Sequence, residues 1–294
     1  MIDLAVVNRA ETFERMAKPL EERGIRCHHV PVDERVIPLG ENAPWTSGEF
    51  DVGYVYPGRL MEGGVADVLL AVPWLNGRDA VVTSRNKAGV IARLDHEGIP
   101  VPETVYISNP VDERALREAF DLLEPPVVIK PNSTTRGVGV AKADDLDSFL
   151  GICDYLDLVH DFRATGDKSF LVQEFLPDAV DYRVMVLEGE YVGAVERRLA
   201  RDALEDEGWK HNVHRGATAS AVEPSESTRE TAESVAKTLD IPFAGVDILV
   251  TEDRAVVSET NARPTIDAAA KYEAGFYDRL SSAIEHRARD ESRG

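Results

Sequence analysis

The chain has 294 residues, of which 43% are hydrophobic, and its 53 acidic against 33 basic side chains give a net charge of −20. This length predicts two or three packed lobes, and no apolar run approaches the roughly 18 residues that a membrane span requires. An acidic surface repels nucleic acid and anionic membranes, so neither is expected as a partner.

The composition also bears on the compartment. Only 8 lysines occur, and such an acidic, lysine-poor surface favours a halophilic protein in a salt-rich cytoplasm, where ions screen self-repulsion. An ordinary acidic enzyme is the alternative. Cys27 and Cys153 lack CxxC spacing and are expected to be free thiols in a reducing compartment. The first residues lack a basic region and a cleavage site, so no signal peptide is expected and a cytoplasmic location is predicted.

The first third of the chain alternates strands with helices, which predicts a small parallel α/β lobe ending near Thr83. Strands are expected at 2–7, 25–30 and 51–56, and helices at 11–23 and 63–71. A further helix at about 84–97 is ended by Gly98 and the prolines that follow it.

The remainder of the chain predicts hairpins and helices. Strands are expected at 127–130 and 169–175, hairpins at 181–198 and at 244–250 with 255–260, and helices at 145–156, at 227–239 and from about 274. The first hairpin is expected to turn at 188–190 and the second at 252–254.

The second hairpin carries a candidate metal face. Glu259 and Asn261 share one face of a strand because side chains alternate. An odd-length loop at 252–254 would place Asp247 opposite Glu259. Two carboxylates and an amide oxygen are ligands that suit Mg²⁺, and two uncompensated carboxylates on one face would call for a cation. A solvated hairpin edge is the alternative.

The first hairpin carries a charged cluster. Asp181 and Arg183 share a face, and an odd loop at 188–190 would bring Arg197 opposite Asp181. Lys210, Asn212 and Arg215 add donors in a later polar loop, and such donors bind phosphate and carboxylate oxygens. The alternative for this cluster is a surface ion pair of little energetic consequence.

A third pattern is Lys130 at the end of a buried strand, before the loop Asn-Ser-Thr-Thr-Arg-Gly-Val-Gly. A lysine and backbone N–H groups in this arrangement can hold phosphates. The loop is not a Walker A motif, because no Gly-Lys-Ser/Thr follows. Lys87, taken alone, would pass as a surface lysine on a helix.

The order of these segments resembles the ATP-grasp superfamily, and within it the RimK-like α-L-glutamate ligases. The resemblance runs from about residue 83 to 270 and rests on Asn86-Lys87, Gly98-Ile-Pro-Val-Pro-Glu-Thr104, Val128-Ile-Lys130-Pro, Val172-Gln-Glu-Phe175, Asp181-Tyr-Arg183, Trp209-Lys-His-Asn212, Gly245-Val-Asp247 and Glu259-Thr-Asn261.

The resemblance implies an α/β protein with α+β lobes, an ATP-grasp fold preceded by a Rossmann-like pre-ATP-grasp domain. The implied boundaries are 1–83 for the first domain and 84–294 for the ATP-grasp domain, with a mobile lid at about 121–175 and a metal-binding, catalytic part at about 176–294. Copies of the chain are expected to pair as a homodimer or homotetramer.

The resemblance also implies roles for single residues. Lys87 and Lys130 would hold the ATP phosphates, with Lys210 and Asn212 near the triphosphate. Glu174 and the backbone of Phe175 would read the adenine edge, and Asp181 would lie near the ribose. Two Mg²⁺ or Mn²⁺ ions would be coordinated by Asp247, Glu259 and Asn261, and the acceptor carboxylate and developing phosphate oriented by Arg183, Arg197 and Arg215.

The implied function is an ATP-dependent carboxylate–amine ligase that works through an acyl phosphate. It would add glutamate or another amino acid to a carboxylate of a coenzyme, a peptide or a protein C-terminus. The alternative is an ATP-binding regulatory module of the same fold without turnover. Two residues depart from the family pattern Glu-Val-Asn-Ala-x-Pro-Gly: Arg263 and Thr265 are expected to alter the acceptor site, which bears on whether glutamate is the amino acid added.

Overall fold

The fold is taken from a computed structural model that describes residues 1–7, 10–134, 138–159, 167–198, 218–266 and 271–290. In these ranges the helices are α1 (Ala10–Glu21), α2 (Leu60–Leu70), α3 (Arg78–Arg85), α4 (Lys87–His96), α5 (Glu113–Phe120), α6 (Leu146–Val159), α7 (Glu226–Leu239) and α8 (Phe276–Asp290). No helix of this described part is long and apolar enough to cross a membrane.

The strands of the same ranges form three sheets. They are β1 (Ile2–Val6), β2 (Ile25–His29), β3 (Val52–Tyr54), β4 (Thr104–Ile107), β5 (Val127–Pro131), β6 (Ala141–Ala143), β7 (Phe170–Glu174), β8 (Val180–Leu187), β9 (Glu190–Arg198), β10 (Thr218–Ala221), β11 (Phe243–Val250) and β12 (Ala255–Asn261). The sheet orders are β2-β1-β3, β4-β7-β5-β6 and β10-β9-β8-β11-β12.

The first lobe is a parallel sheet, as its alternating pattern predicts. Ile2 pairs with Ile25, and Leu4 pairs with Cys27 on one side and Val52 on the other. Helix α1 makes the crossover from β1 to β2, which parallel neighbours require. The assignment of residues 1–83 as a Rossmann-like pre-ATP-grasp domain stays a prediction.

The four-stranded sheet has a hydrophobic core of its own. Val127, Ile129, Phe170 and Val172 pack with Phe149 of α6 in a cluster separate from the other two clusters of buried apolar side chains. Strand β4, which lies ahead of the predicted lid at 121–175, belongs to this sheet through its pairing with β7. The sheet therefore forms one packed unit that begins at β4.

The five-stranded sheet is antiparallel and shares its cores with the first lobe. One face packs Val184 and Val246 with Trp74 and helix α4, and Met185 and Phe243 lie in a cluster with Tyr54 and helix α8. The first lobe and this sheet are therefore held together by continuous apolar packing. The strands of this sheet also carry charged side chains, which lie outside these two apolar clusters.

The region predicted as one helix at 84–97 is two helices that meet at Asn86. The Asn86 side chain accepts a hydrogen bond of 3.1 Å from the backbone N of Gly89, so it caps the start of α4. The backbone N of Asn86 bonds to the carbonyl of Thr83 at the end of α3. The break turns the chain and places Lys87 in the first turn of the second helix.

The β8–β9 hairpin keeps the predicted pairing of Asp181 with Arg197, but its loop is shorter than predicted. Leu187 pairs with Glu190, so the turn is the two-residue Glu188-Gly189, and both residues have positive φ (50° and 82°), as a tight hairpin turn requires. A β-bulge between Met185 and Val186 then shifts the register by one residue and restores the predicted faces.

Gly193 next to this bulge leads to a stability prediction. Its φ is +143°, and a Cβ there would overlap the backbone carbonyl oxygen of Lys271. We expect Gly193→Ala to lower the free energy of unfolding by about 2 kcal/mol or more, measured by chemical denaturation. Gly151→Ala in α6 has open space around the new methyl group and is expected to raise stability by about 0.5–1 kcal/mol. Equal effects of the two changes would contradict the packing at Gly193.

Candidate active site

The charged side chains of the five-stranded sheet form a row across four of its strands. Asp247 on β11 pairs with Arg183 on β8 and with Glu259 on β12. Asp181 on β8 faces Arg197 on β9, one pleat further along. Neighbouring positions across a sheet place side chains on a common face within contact distance, so the two clusters predicted on separate hairpins form one site.

The β11–β12 hairpin reaches the predicted pairing by a different route. We predicted an odd loop at 252–254, but Val250 pairs with Ala255, and Thr251 N donates to Arg254 O at 2.8 Å across an even-length turn. That register alone would not pair Asp247 with Glu259. A register shift after Asp247 leaves Ser258 as an extra residue on β12 and restores the pairing.

Asp247 is the most tightly bound carboxylate of the site. It is 3% exposed, and Arg183 donates to both of its oxygens at 2.7 Å. Arg197 Nη2 forms a further ion pair with Asp247 Oδ2 at 3.0 Å. Burial alone would raise the pKa of Asp247, but the guanidinium groups of Arg183 and Arg197 outweigh it and lower the pKa to about 2.

Arg197 also holds Asp181, so the sheet carries a connected network of ion pairs. Its Nη2 lies 2.6 Å from Asp181 Oδ1, and both side chains are less than 10% exposed. Burial opposes the charge of Arg197, but Asp247 and Asp181 together raise its pKa. The surface ion pair considered from sequence is therefore a buried one, for which loss of one partner is costly.

The network corrects one reason given for expecting a cation. We predicted that Asp247 and Glu259 would lie together uncompensated, whereas Arg183, Arg197 and Lys87 already neutralise them. The group of three carboxylates (Asp181, Asp247, Glu259) and four cations (Lys87, Lys130, Arg183, Arg197) has a net positive charge. Positive charge in a cleft of a strongly acidic protein favours an anionic ligand.

Lys87 connects this row to the loop after β5, which is the loop predicted to hold phosphates. Its side chain is 7% exposed, which corrects the reading of Lys87 alone as a surface lysine. Its ammonium lies 3.7 Å from Glu259 Oε1 and also donates to the carbonyl oxygens of Thr134 and Asn132. Lys87 thus contacts both the loop and the carboxylate row.

Asn132 fixes that loop against helix α4. Its Oδ1 accepts from the backbone N of Ala88 at 2.8 Å, and its Nδ2 donates to Asn86 Oδ1 at 3.1 Å. We did not predict a role for Asn132. The signal available in the sequence was the capping residue Asn86 before a lysine, which marks a helix start but not its tertiary partner.

Lys130 on β5 approaches the same charges from the four-stranded sheet. Burial lowers the pKa of Lys130, and Lys87 adds to this effect, while the carboxylates of Glu259, Asp181 and Asp247 oppose it. The two predicted phosphate lysines are therefore electrostatic neighbours of each other and of the carboxylate row. The row and the two lysines lie at the junction of the two antiparallel sheets, and this junction is called the cleft below.

Glu174 and Phe175 lie at the other end of this cleft. Glu174 Oε1 accepts from the backbone N of Glu103 at 2.8 Å, and Oε2 pairs with Arg254 on the β11–β12 turn. The Phe175 ring lies 5.4 Å from the Lys142 ammonium. The Glu174 carboxylate thus joins the two sheets, and its predicted contact with adenine stays a prediction.

The remaining predicted residues divide into two groups. Asn261 is described: its Oδ1 accepts from the backbone N of Arg263 at 2.8 Å. Lys210, Asn212 and Arg215 lie outside the described residues. Within the described ranges no three His, Cys, Asp or Glu side chains converge as a metal cluster; the predicted set has two carboxylates and an amide.

Residues 84–275 match the sequence model of the RimK-like ATP-grasp domain family. The chain belongs to the RimK-like ATP-grasp family. The match contains the Asn86–Lys87 start of α4, the β5 loop and the whole carboxylate row.

Curated relatives of this family are similar over part of their length. A probable α-L-glutamate ligase of Xanthomonas euvesicatoria is 30% identical over 194 residues, 65% of this chain and 61% of that protein. A probable α-L-glutamate ligase of Psychromonas ingrahamii is 31% identical over 202 residues, 66% of this chain and 60% of that protein. The match therefore spans about three fifths of these relatives.

Solved structures show that the fold is the ATP-grasp fold. D-cycloserine synthetase DcsG matches with a TM-score of 0.76 at 16% identity, over 97% of this chain and 99% of that one. D-alanine–D-alanine ligase from Bacillus anthracis, complexed with ATP, matches with a TM-score of 0.71 at 15% identity over the whole of both chains. ATP-grasp ligase PsnB with a minimal precursor matches with 0.67 at 17% identity, over 98% and 99%. The predicted fold class is confirmed.

Proposed function

We propose that this protein is an ATP- and Mg²⁺-dependent carboxylate–amine ligase that forms an amide through an acyl phosphate. Its substrates would be an amino acid, glutamate or another, and a carboxylate of a coenzyme, a peptide or a protein C-terminus. The main observation in support is that Lys87 and Lys130 lie close to the row of carboxylates, which also forms ion pairs with arginines. Membership of a family that includes probable α-L-glutamate ligases supports the reaction class.

The oxygen donors of the cleft fit Mg²⁺, because carboxylate and amide oxygens are its preferred protein ligands. Glu259, Asn261 and Asp247 would hold it, and the side chain of Glu259 is more accessible than that of Asp247, with 34% against 5% exposed. Asp247 already accepts from two arginines, so its share in binding is the smallest of the three. When bound, the ions would neutralise phosphate charge and align the reacting oxygens.

The lysines would bind and orient the triphosphate. Lys87 and Lys130 place positive charge beside the position of the terminal phosphoryl group, where attack by the substrate carboxylate breaks the bond to ADP. Glu259 forms an ion pair with Lys87, and the charges of Glu259, Asp181 and Asp247 favour the charged form of Lys130. The adenine edge would be read by the main chain at Glu174 and Phe175, because the Glu174 carboxylate is engaged by Arg254.

The second step is attack of the amine on the acyl carbon with release of phosphate. Arg183 and Arg197 would orient the carboxylate and stabilise the oxyanion, since charge-assisted donors fixed before the reaction act most strongly there. Asp247 and Asp181 hold both guanidinium groups in place. The four-stranded sheet, with its own core, would exclude water from the acyl phosphate.

The test is ADP release from ATP and Mg²⁺ with a panel of carboxylates, with and without each amino acid. We expect ADP only when an acceptor and an amine are both present. The assay is run at low and at molar salt, because the acidic surface is what predicts a salt-rich cytoplasm. Mg²⁺-dependent ATP binding without turnover on any pair would contradict the ligase and favour the regulatory module.

A further inference from the structure

Two arginines from different elements meet at one loop of the first lobe. The loop follows β3, at the carboxyl end of the parallel sheet. Arg85, at the end of α3, donates to the carbonyl oxygen of Gly58. Arg263, just after β12, packs its guanidinium where a Cβ on Gly58 would otherwise lie. The two cations are thus brought together by chain segments far apart in sequence.

Arg85 lacks a counter-ion in the described part of the chain. Its side chain is half-buried, and burial lowers its pKa. Its hydrogen bond to Gly58 goes to a neutral carbonyl, and none of the described carboxylates pairs with it. A half-buried cation without an anion is costly, and it is unexpected in a protein with 20 more acidic than basic side chains.

The pair lies next to the candidate active site. Ser84, which precedes Arg85, accepts from the backbone N of Ala262 at 3.0 Å and donates to the carbonyl oxygen of Thr260 at 2.9 Å. Arg263 donates its backbone N to Asn261. Arg85 is two residues from Lys87, and Arg263 is two residues from Asn261, so both arginines lie beside predicted residues of the active site.

The loop itself has an unusual backbone. Val55, buried at the end of β3, has a φ of 58°. A β-branched residue rarely adopts this left-handed conformation, and such backbone strain is concentrated at functional sites. Ligands of parallel sheets bind at the carboxyl ends of the strands, which is where Val55 and Gly58 lie.

We propose that Arg85 and Arg263, which both contact Gly58, bind a non-reacting carboxylate of a substrate. This rests on the proposed ligase function and narrows it, because one of the two substrates must then carry a carboxylate besides its reacting group. The carboxylate comes either from the amino acid or from the acceptor. The pair is separate from Arg183 and Arg197, which lie on strands β8 and β9.

The experiment compares charged and amide members of matched pairs. Protein saturated with Mg²⁺ and a non-hydrolysable ATP analogue is titrated with L-glutamate against its γ-amide L-glutamine and its α-amide L-isoglutamine, and with succinate against succinamate. We expect the wild-type protein to bind the charged member of one pair about tenfold or more tightly. The pair that shows the preference identifies which substrate supplies the carboxylate.

Variants then assign the preference to the two arginines. Arg85→Gln and Arg263→Gln are expected to lower the ratio of the affinities for the carboxylate and amide members to about threefold or less. Gly58→Ala keeps both charges but displaces the Arg263 guanidinium, so an intermediate ratio is expected. The matched control is Arg114→Gln, an exposed arginine on α5, which should leave the ratio unchanged.

The outcomes separate this inference from the ligase itself. Equal binding of the carboxylate and amide members of every pair in the wild-type protein, or no measurable response to any of them, overturns the inference. A preference that persists in Arg85→Gln, Arg263→Gln and Gly58→Ala also overturns it. Nucleotide binding and ADP release are measured on the same samples, and their loss in the wild-type protein would overturn the proposed function instead.

Discussion

Glu259→Gln is expected to lower the rate of ADP release by about 100-fold or more with little change in folding stability. Of the described residues only Lys87 makes an ion pair with Glu259, at 3.7 Å, so this carboxylate has the most oxygen lone pairs free for a cation. Glutamine keeps the size of the side chain but removes the charge that binds Mg²⁺. Initial rates at saturating ATP and a series of Mg²⁺ concentrations measure the effect.

The matched control for this variant is Glu252→Gln. Glu252 lies on the turn of the same hairpin and is exposed, so the rate should stay within about twofold of wild type. The Mg²⁺ concentration at half-maximal rate should rise for the Glu259 variant and stay constant for the control. A Glu259 variant that keeps wild-type turnover would exclude this strand as the metal site.

The second large effect is expected at Asn76, which is fully buried between the first lobe and the five-stranded sheet. Its Nδ2 donates to the carbonyl oxygens of Phe243 and Ala262 at 2.6 Å, and its Oδ1 accepts from Phe243 N at 2.9 Å. Asn76→Ala leaves three buried backbone groups without partners, so we expect unfolding free energy to fall by about 3–5 kcal/mol.

Chemical denaturation followed by circular dichroism measures this loss. Asn76→Leu, which restores volume without hydrogen bonds, should be nearly as destabilising, because the carbonyl groups still lack donors. Asn42→Ala on the exposed turn after β2 is the control, and its effect should be within about 0.5 kcal/mol. Leucine restoring wild-type stability would show that packing, not hydrogen bonding, is what Asn76 supplies.

The sequence predicted which residues face one another on the two hairpins, but it did not predict the loop lengths and bulges that produce these pairings. Both pairings, of Asp181 with Arg197 and of Asp247 with Glu259, were assigned from odd loops, and both loops have an even length with a bulge in the following strand. Gly193 inside a strand was a signal for the first bulge. Ser258 carries no such signal, because a serine is compatible with regular pairing.

Polar contacts between residues far apart in the chain could not be predicted from the sequence. Asp247 was assigned to a cation from its residue type, whereas its partners Arg183 and Arg197 lie 64 and 50 positions away and meet it through sheet order. Likewise nothing local in Asn76 or Arg85 indicates the backbone groups that they bind. Hydrophobic periodicity and capping residues predict where helices and strands lie and which of their faces are buried. Which helices and strands become neighbours depends on how the whole chain buries its apolar surface.

The separate core of the four-stranded sheet would determine the thermodynamics of the predicted lid movement. Its apolar side chains form a cluster of their own, so a change of angle against the rest of the protein would expose little hydrocarbon. The contacts described across the cleft are polar, such as Arg254 with Glu174 and Asn132 with Ala88. Such a movement should therefore have a small heat-capacity change, so its enthalpy should be nearly constant with temperature, and the balance between the two forms should be sensitive to charge and salt.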